Sequence, residues 1–472
     1  MQAHLLSFEQ EWTDAASGRT LPRFVTDELH RYLDCGILAR GFAHLYCDDC
    51  GEHQVVAFCC KARAVCPSCL GRRMNEGAAN LVDHVLPDVP IRQFVLTLPF
   101  PLRFPLAFDG KLLGQVLRIF TDTVSAWYRA RHTERGLPAG ATGAVTAIQR
   151  ANSDLRLNPH FHTLFLDGVY APDRDGRGRM FHPAPGPRQQ DIERLVERAS
   201  LRILRFLQRR GAITLVATPG DGEATLVPDE TMGEQDPLLA TLLVAATAGA
   251  APAGPATKRR PIRIALDPDD RPVPKGALCA SSHGFNLQAA TRVPASDKAG
   301  RERLCRYILR PPLANDRLTI LDDGSVHLAF KRPWADGTSA VTLEPLALIA
   351  RLAALVPPPR RHVTRYFGIL SSHAALRGQV VPKPTTGTDA VKAKKKSRYI
   401  PFAELLRRTF AVELKCSSCG NPLRLRALIK TETVIRKILL AMHLPAKPPE
   451  LHPARPPPGC HGVAGEAEDL VN

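Results

Sequence analysis

Two hydrophobic periods alternate along residues 91–370. Ile91 to Leu98 (IRQFVLTL) has the apolar density of a strand and is halted by Pro99. Lys111 to Arg131 carries Leu113, Val116, Leu117, Phe120 and Val124 on one stripe at helical spacing. Val145 to Gln149 and Phe161 to Val169 predict strands. Asp191 to Gln208 predicts a helix that turns Leu195, Ala199, Ile203 and Phe206 inward. Residues 211–280 are rich in Ala, Pro and Gly and predict an irregular insertion. Beyond them, Phe285 to Val293 predicts a strand and Asp297 to Leu309 a helix. Arg317 to Leu321 and Ser325 to Phe330 predict a hairpin across the turn signal DDG, and Leu343 to Leu355 a further helix. Strands alternate with helices, yet hairpins also occur. The expected class is therefore α+β, with an antiparallel or mixed sheet flanked by helices, rather than a doubly wound parallel sheet.

Composition sets the bounds. The 472 residues suffice for two to four domains. At 44% hydrophobic and 23% charged residues, wholesale disorder is excluded. Twelve cysteines in that length are too sparse for a disulfide scaffold. Three blocks are expected: a cysteine-rich block at 1–90, a strand-and-helix block at 91–370, and a basic, Pro-rich block at 371–472. A net charge of +17 points to a polyanionic partner, and nucleic acid fits better than membrane. The best apolar stretch, Leu238 to Ala251, is too short and Thr-interrupted to span a bilayer. The N-terminus, MQAHLLSFEQEW, lacks the pattern of a secretory signal, so a cytoplasmic location is expected. Thiols stay reduced there, and clustered cysteines read as metal ligands.

The segment CDDCGEHQVVAFCCKARAVCPSC holds two CxxC pairs, Cys47 with Cys50 and Cys66 with Cys69, fifteen residues apart. Four thiolates on two such knuckles close a tetrahedral shell that suits Zn²⁺ and leaves no open position, so the expected site is structural. His53, Cys59 and Cys60 compete for places in it. Cys35, on an expected helix, reads as a core thiol. Arg72 and Arg73 flank the cluster and would dress a DNA-binding face. Near the C-terminus, Cys416 and Cys419 form a third knuckle with no CxxC after it. Lys392 to Arg398 (KAKKKSR) is a basic run that suits either a solvated linker or phosphate contacts. Pro445 to Asn472 is expected to be disordered.

In NPHFHTLFLDGVY, His160 and His162 lie two apart. On a strand they share a face and are close enough to hold one divalent cation. In RERLCRYILRPP, Tyr307 sits on a helix with Arg303, Arg306 and Arg310, which could meet a phosphate, before Pro311 and Pro312 stop it.

Taken in order, CCKARAVCPSCLGRRM, NPHFHTLFLDGVY, CRYILRPP and RHVTRYFGILSSHAALR make the chain resemble the rolling-circle transposases of the ninety-one type of insertion sequence. These belong to the HUH endonuclease superfamily. The resemblance runs from about Phe24 to about residue 445 and implies an antiparallel nuclease sheet flanked by helices, behind a small zinc-binding domain. It implies that His160 and His162 hold a catalytic Mg²⁺ or Mn²⁺, and that Tyr307 is the nucleophile. The substrate would be single-stranded DNA at the ends of a mobile element and at its target, in a bacterial cytoplasm. The product would be a 5′-phosphotyrosine with a free 3′-OH. Arg303 and Pro311 stand where a second tyrosine would lie, so the chain resembles the single-tyrosine branch. Gln288 stands where a third ligand, commonly His, Glu or Gln, is expected and could coordinate through its amide oxygen; Gln149 competes for that role. The alternatives are a zinc-containing DNA-binding protein without catalysis and an HUH replication initiator.

Overall fold

The structure, a computed structural model, describes residues 1–15, 17–173, 175, 178–217, 223–229, 231–249, 262–265, 276–334, 337–382 and 415–454. The basic run at 392–398, Cys460 and residues 455–472 lie outside them.

After two helices, Leu5–Glu11 and Arg23–Leu33, the chain builds a hairpin, β1 (Phe42–Tyr46) and β2 (His53–Ala57), and then helix α1 (Pro67–His84). The centre is an antiparallel sheet. Its strands are β3 (Ile91–Thr97), β4 (Gly143–Ala151), β5 (Leu157–Leu166), β6 (Cys279–Ser282), β7 (Phe285–Gln288), β8 (Arg292–Val293) and β9 (Thr364–Gly368). They run in the order β6-β7-β3-β5-β4-β9, with β8 also paired to β3. The fold is α+β, as the alternating periods predict.

Strand alternation divides this sheet into two faces. Phe94, Leu96, Ile148, Phe161 and Phe165 point one way. They are buried with Leu117 and Phe120 of helix α2 (Gly110–Thr133) and Leu195 and Ile203 of helix α3 (Gln189–Arg209). Val145, Ala147 and Leu164 point the other way, into a core with Ala78, Leu81 and Val82 of α1. Leu304, Cys305 and Ile308 of helix α4 (Lys298–Leu309) complete that core. A third cluster includes Phe8, Leu29, Phe104, Leu242 and Leu352.

Three expectations need correction. The strand expected to run to Val169 stops at Leu166, and Gly168–Pro172 pairs instead with Arg179–Pro183. The break is at Asp167, whose buried carboxylate takes Arg92 (3.0 and 3.2 Å), Arg292 (2.8 Å) and the Tyr128 hydroxyl (2.9 Å). The strand expected over Phe285–Val293 is split. Gln288 pairs with Val95 and Arg292 with Arg92, so one extra residue bulges out between β7 and β8. Where described, residues 211–280 are more regular than expected. They hold strands Ile213–Ala217, Glu223–Pro228 and Ile262–Ala265 and a helix, Pro237–Ala248. That helix has full local signals: Asp236 caps it, Pro237 opens it, and Gly249 closes it at φ +77°.

The C-terminal block is not separate from the N-terminal one. Strand β10 (Arg424–Ile429) pairs antiparallel with β1, and Ile435 and Leu439 of the helix Glu432–Ala441 pack on Phe42. Among the described residues no helix is long and apolar enough to cross a membrane.

Candidate active site and cysteine clusters

Strand β5 carries Asn158, His160, His162 and Leu164 on one face, because each is two residues from the next. The neighbours set the rest of that face. Across β4, Gln149 pairs with His160 and Ala147 with His162; across β3, Thr97 pairs with His160 and Val95 with His162. Helix α4 crosses over this face through Leu304 and Ile308, which brings Tyr307 to the imidazoles. The His162 ring centroid lies 5.0 Å from that of His160 and 5.6 Å from that of Tyr307. Tyr307 is 44% exposed, so the side chain is accessible to a ligand. Arg310 stacks its guanidinium 4.6 Å from the Tyr307 ring centre.

His160 is held as a metal ligand requires. Nδ1 of His160 bonds the Asn158 carbonyl at 2.7 Å, and a carbonyl only accepts, so this nitrogen carries the proton and Nε2 keeps its lone pair. Nδ1 of His162 lies 2.8 Å from the amide nitrogen of Gln93, a group that only donates; turning that amide over by 180° presents its oxygen instead and gives the second ring the same support as the first. Burial pushes His160 down to about 4, with help from the nearby Arg310 and Arg103 charges. Burial, then the His160 and Arg310 charges, pushes His162 down to about 3. Both rings are therefore neutral at physiological pH.

The fit to a cation has further support in Asn158. Its Oδ1 is buried without a hydrogen-bond partner, on the same face as the two rings. Such an orphaned acceptor is rare and calls for a ligand. No carboxylate is among the partners of the two rings, while Arg103 and Arg310 are close enough to shift them. That field opposes a bare cation and favours one that arrives with a phosphate.

The two glutamines fare differently. Gln149 lies directly beside His160, and its amide nitrogen donates to the Ile308 carbonyl at 2.8 Å, tying β4 to the tyrosine helix. Gln288 is level with His162 but on β7, with Val95 of β3 between them. Two strand spacings put its backbone about 10 Å away, and its side chain is exposed. Gln93 and Asn158 were not singled out in the sequence. The available signal was a glutamine inside the otherwise apolar run IRQFVLTL and an asparagine in phase with the histidines.

The flanking arginines are dispersed. Arg310 alone reaches the tyrosine ring. Arg306 bonds Glu302 at 2.6 Å, and Arg303 faces Asp297 at 3.7 Å. Arg72 meets Cys59 Sγ at 3.4 Å, and Arg73 donates to the Lys61 carbonyl at 3.0 Å.

The cysteines form two groups of four instead of the one expected. Cys35, Cys60, Cys66 and Cys69 bring their sulfurs within 4.8 Å of one another. The second group joins Cys47 and Cys50 to Cys416 and Cys419. The cause is the hairpin. Cys47 and Cys50 sit in the turn at its tip, whereas Cys60 and Cys66 follow its base. Five residues of strand separate the two ends by about 17 Å, so Cys47 and Cys66 cannot share an ion. Cys35 is a member of the first cluster rather than a core thiol. His53 stacks on His44, 2.8 Å apart between ring nitrogens, and joins neither group. In the first cluster the hydrogen bond with Cys60 draws the Cys66 thiol down to about 5 and pushes Cys60 up, which readies one thiolate for metal. Four soft thiolates around one point suit Zn²⁺ in a closed, structural shell.

Two family models match the chain. One, described as "Putative transposase", covers residues 143–377, and the other, described as "Transposase zinc-binding domain", covers residues 7–98. The first spans both histidines and the tyrosine; the second spans the whole first cysteine cluster. No curated protein and no solved structure matches the chain.

Proposed function

The chain belongs to the transposases of the ninety-one type of insertion sequence, and from that we propose that it nicks and rejoins single-stranded DNA through a covalent phosphotyrosine at Tyr307. The observation that carries this reading is the meeting of Tyr307 with His160 and His162 on one sheet face, from segments about 145 residues apart.

The roles follow from position. His160 and His162 would hold Mg²⁺ or Mn²⁺ through their Nε2 atoms, with the Gln149 amide oxygen beside them as a third donor. A bound ion would polarise the scissile phosphate and stabilise the charge that develops on its oxygens. Tyr307 attacks the phosphorus as its hydroxyl proton passes to water. The O–P bond to the 3′ oxygen breaks, and that oxygen takes a proton from water to depart as a free 3′-OH while the 5′ side stays on the tyrosine. Arg310, stacked on the ring, is placed to neutralise phosphate oxygens. One phosphodiester replaces another, so no nucleotide energy source is needed for rejoining. A site of neutral imidazoles flanked by guanidiniums suits a flexible single strand, whose backbone can bend to meet Tyr307. A cytoplasmic location is consistent with the many reduced thiols.

The test uses labelled single-stranded DNA from the end of the element, Mn²⁺ and a denaturing gel. The wild type is expected to yield a protein–DNA adduct and Tyr307→Phe none. An adduct that survives Tyr307→Phe removes the tyrosine from the role assigned to it. Tight DNA binding without any adduct would favour the non-catalytic reading.

A further inference from the structure

We propose that the chain holds a second structural zinc, shared between its two ends, at Cys47, Cys50, Cys416 and Cys419. This inference rests on the cysteine geometry alone and does not depend on the chemistry at Tyr307.

Cys47 Sγ lies 3.4 Å from Cys419 Sγ, and Cys50 Sγ lies 3.4 Å from Cys416 Sγ. All four sulfurs fall within 4.8 Å of one another. Four ligands at the usual Zn–S length of about 2.3 Å stand about 3.8 Å apart, inside this range. The partners in each contact are more than 360 positions apart in sequence, so local chain geometry cannot have brought them together.

The two halves are built alike. Each reads C-x-x-C-G, as CDDCG and CSSCG. In each the glycine amide donates to the carbonyl of the first cysteine, Gly51 to Cys47 at 3.0 Å and Gly420 to Cys416 at 2.9 Å. In each the first cysteine amide is bound across the turn, Cys47 by the Glu52 carbonyl and Cys416 by that of Asn421. The glycines share a left-handed conformation, φ +76° and +77°, which a side chain would strain. Two such turns, each aiming both sulfurs at one point, make a knuckle pair for a tetrahedral ion. Cys47 and Cys416 are buried, while Cys50 and Cys419 face outward. That asymmetry leaves the metal an entry path.

The ion would fasten more than itself. Residues 415–454 add a strand to the edge of β1 and a helix to Phe42. The added strand turns Leu425 and Leu428 to solvent, at 59% and 55% exposure, and the helix buries only Ile435 and Leu439 among its larger side chains. So small an apolar interface holds the segment weakly, and a bound zinc would supply the missing stability. The zinc-binding unit matched at residues 7–98 is then incomplete without a segment more than 300 residues downstream.

The test is zinc content per chain in full-length protein, measured by inductively coupled plasma mass spectrometry. Two zinc ions are expected in the wild type. One is expected in Cys416→Ser/Cys419→Ser and one in Cys60→Ser/Cys66→Ser. A single zinc in the wild type, or two retained in Cys416→Ser/Cys419→Ser, would overturn the proposal. Thiol alkylation read by peptide mass spectrometry serves if a variant does not fold. In wild-type protein Cys47, Cys50, Cys416 and Cys419 are expected to be protected and to become reactive together when a chelator is added. Rapid labelling of Cys416 and Cys419 while Cys47 and Cys50 stay protected would equally overturn it.

Discussion

Gln93 offers a sharp test of the imidazole pair, because it is buried and acts through His162. It is 4% exposed, as is His162, and the two meet at 2.8 Å. For Nε2 of His162 to face a cation, Nδ1 must carry the proton, and the Gln93 amide must turn over so that its oxygen rather than its Nε2 meets Nδ1 and accepts it. Gln93→Ala removes that acceptor and strands a buried N–H, at a cost of about 1–3 kcal/mol. The ring can relieve the cost by shifting its proton to Nε2, which abolishes the ligand, or by rotating. Either way the penalty falls on metal binding, and 1–3 kcal/mol corresponds to about 5- to 150-fold in affinity. Losses of about 10- to 100-fold are usual when the partner of a metal-bound histidine is removed. The assay is Mn²⁺ titration in the Tyr307→Phe background, with a single-stranded oligonucleotide present to supply the phosphate and free Mn²⁺ followed by electron paramagnetic resonance. Gln93→Glu, which keeps an oxygen acceptor, is expected to retain binding where Gln93→Ala loses it. Equal Mn²⁺ affinity for Gln93→Ala and its parent, in protein shown to be folded by circular dichroism, would refute the argument.

Arg310→Ala is expected to slow adduct formation by about 10- to 150-fold, the worth of one charge-assisted hydrogen bond of about 1.5–3 kcal/mol; Arg310→Lys should recover only part, because the stacked planar fork is lost, and an unchanged single-turnover rate for Arg310→Ala would exclude the role. Asp167→Ala should lower the unfolding free energy by about 3–5 kcal/mol, since it strands the buried Arg92 and unties Tyr128; a denaturant midpoint close to that of the wild type would contradict this. Cys35→Ser is expected to remove one zinc per chain, whereas a cysteine that merely fills the core would leave the metal content intact.

The sheet and its helices were legible because each periodic run has a single way to bury its stripe. The alternation through Phe161 placed both histidines on the opposite face, and Leu304 with Ile308 turned the tyrosine helix toward the same sheet. Supporting groups were harder to see. Gln93 and Asn158 matter only through the register of β3 and β5, and a sequence does not print register. The cysteine partners were hidden for a different reason. Fifteen intervening residues fit a shared site only if the chain doubles back compactly. Here it extends as a hairpin and carries one knuckle away from the other, so the nearest pair in sequence is not the nearest in space.

Helix α1 links the two halves of the molecule. Its N-terminus is fixed at the first cysteine cluster, where the Cys66 sulfur accepts from the Cys69 amide. Its body lies along α4 closely enough that a Cβ at Gly77 would come within 2.9 Å of Leu309. Just past its end, Arg301 of α4 is fully buried and held by Asp88 at 2.6 Å and by the Leu86 and Pro87 carbonyls. Few apolar contacts beyond Leu304, Cys305 and Ile308 fix the height of Tyr307 over the sheet, and the other side of α4 meets solvent. Its position is therefore set by α1 together with Gln149, which donates to the Ile308 carbonyl. A helix frays from an unsecured end, and thiolates bound to zinc secure this one. On that view the four sulfurs at Cys35, Cys60, Cys66 and Cys69 would serve the proposed reaction by holding the rail on which the tyrosine helix rests.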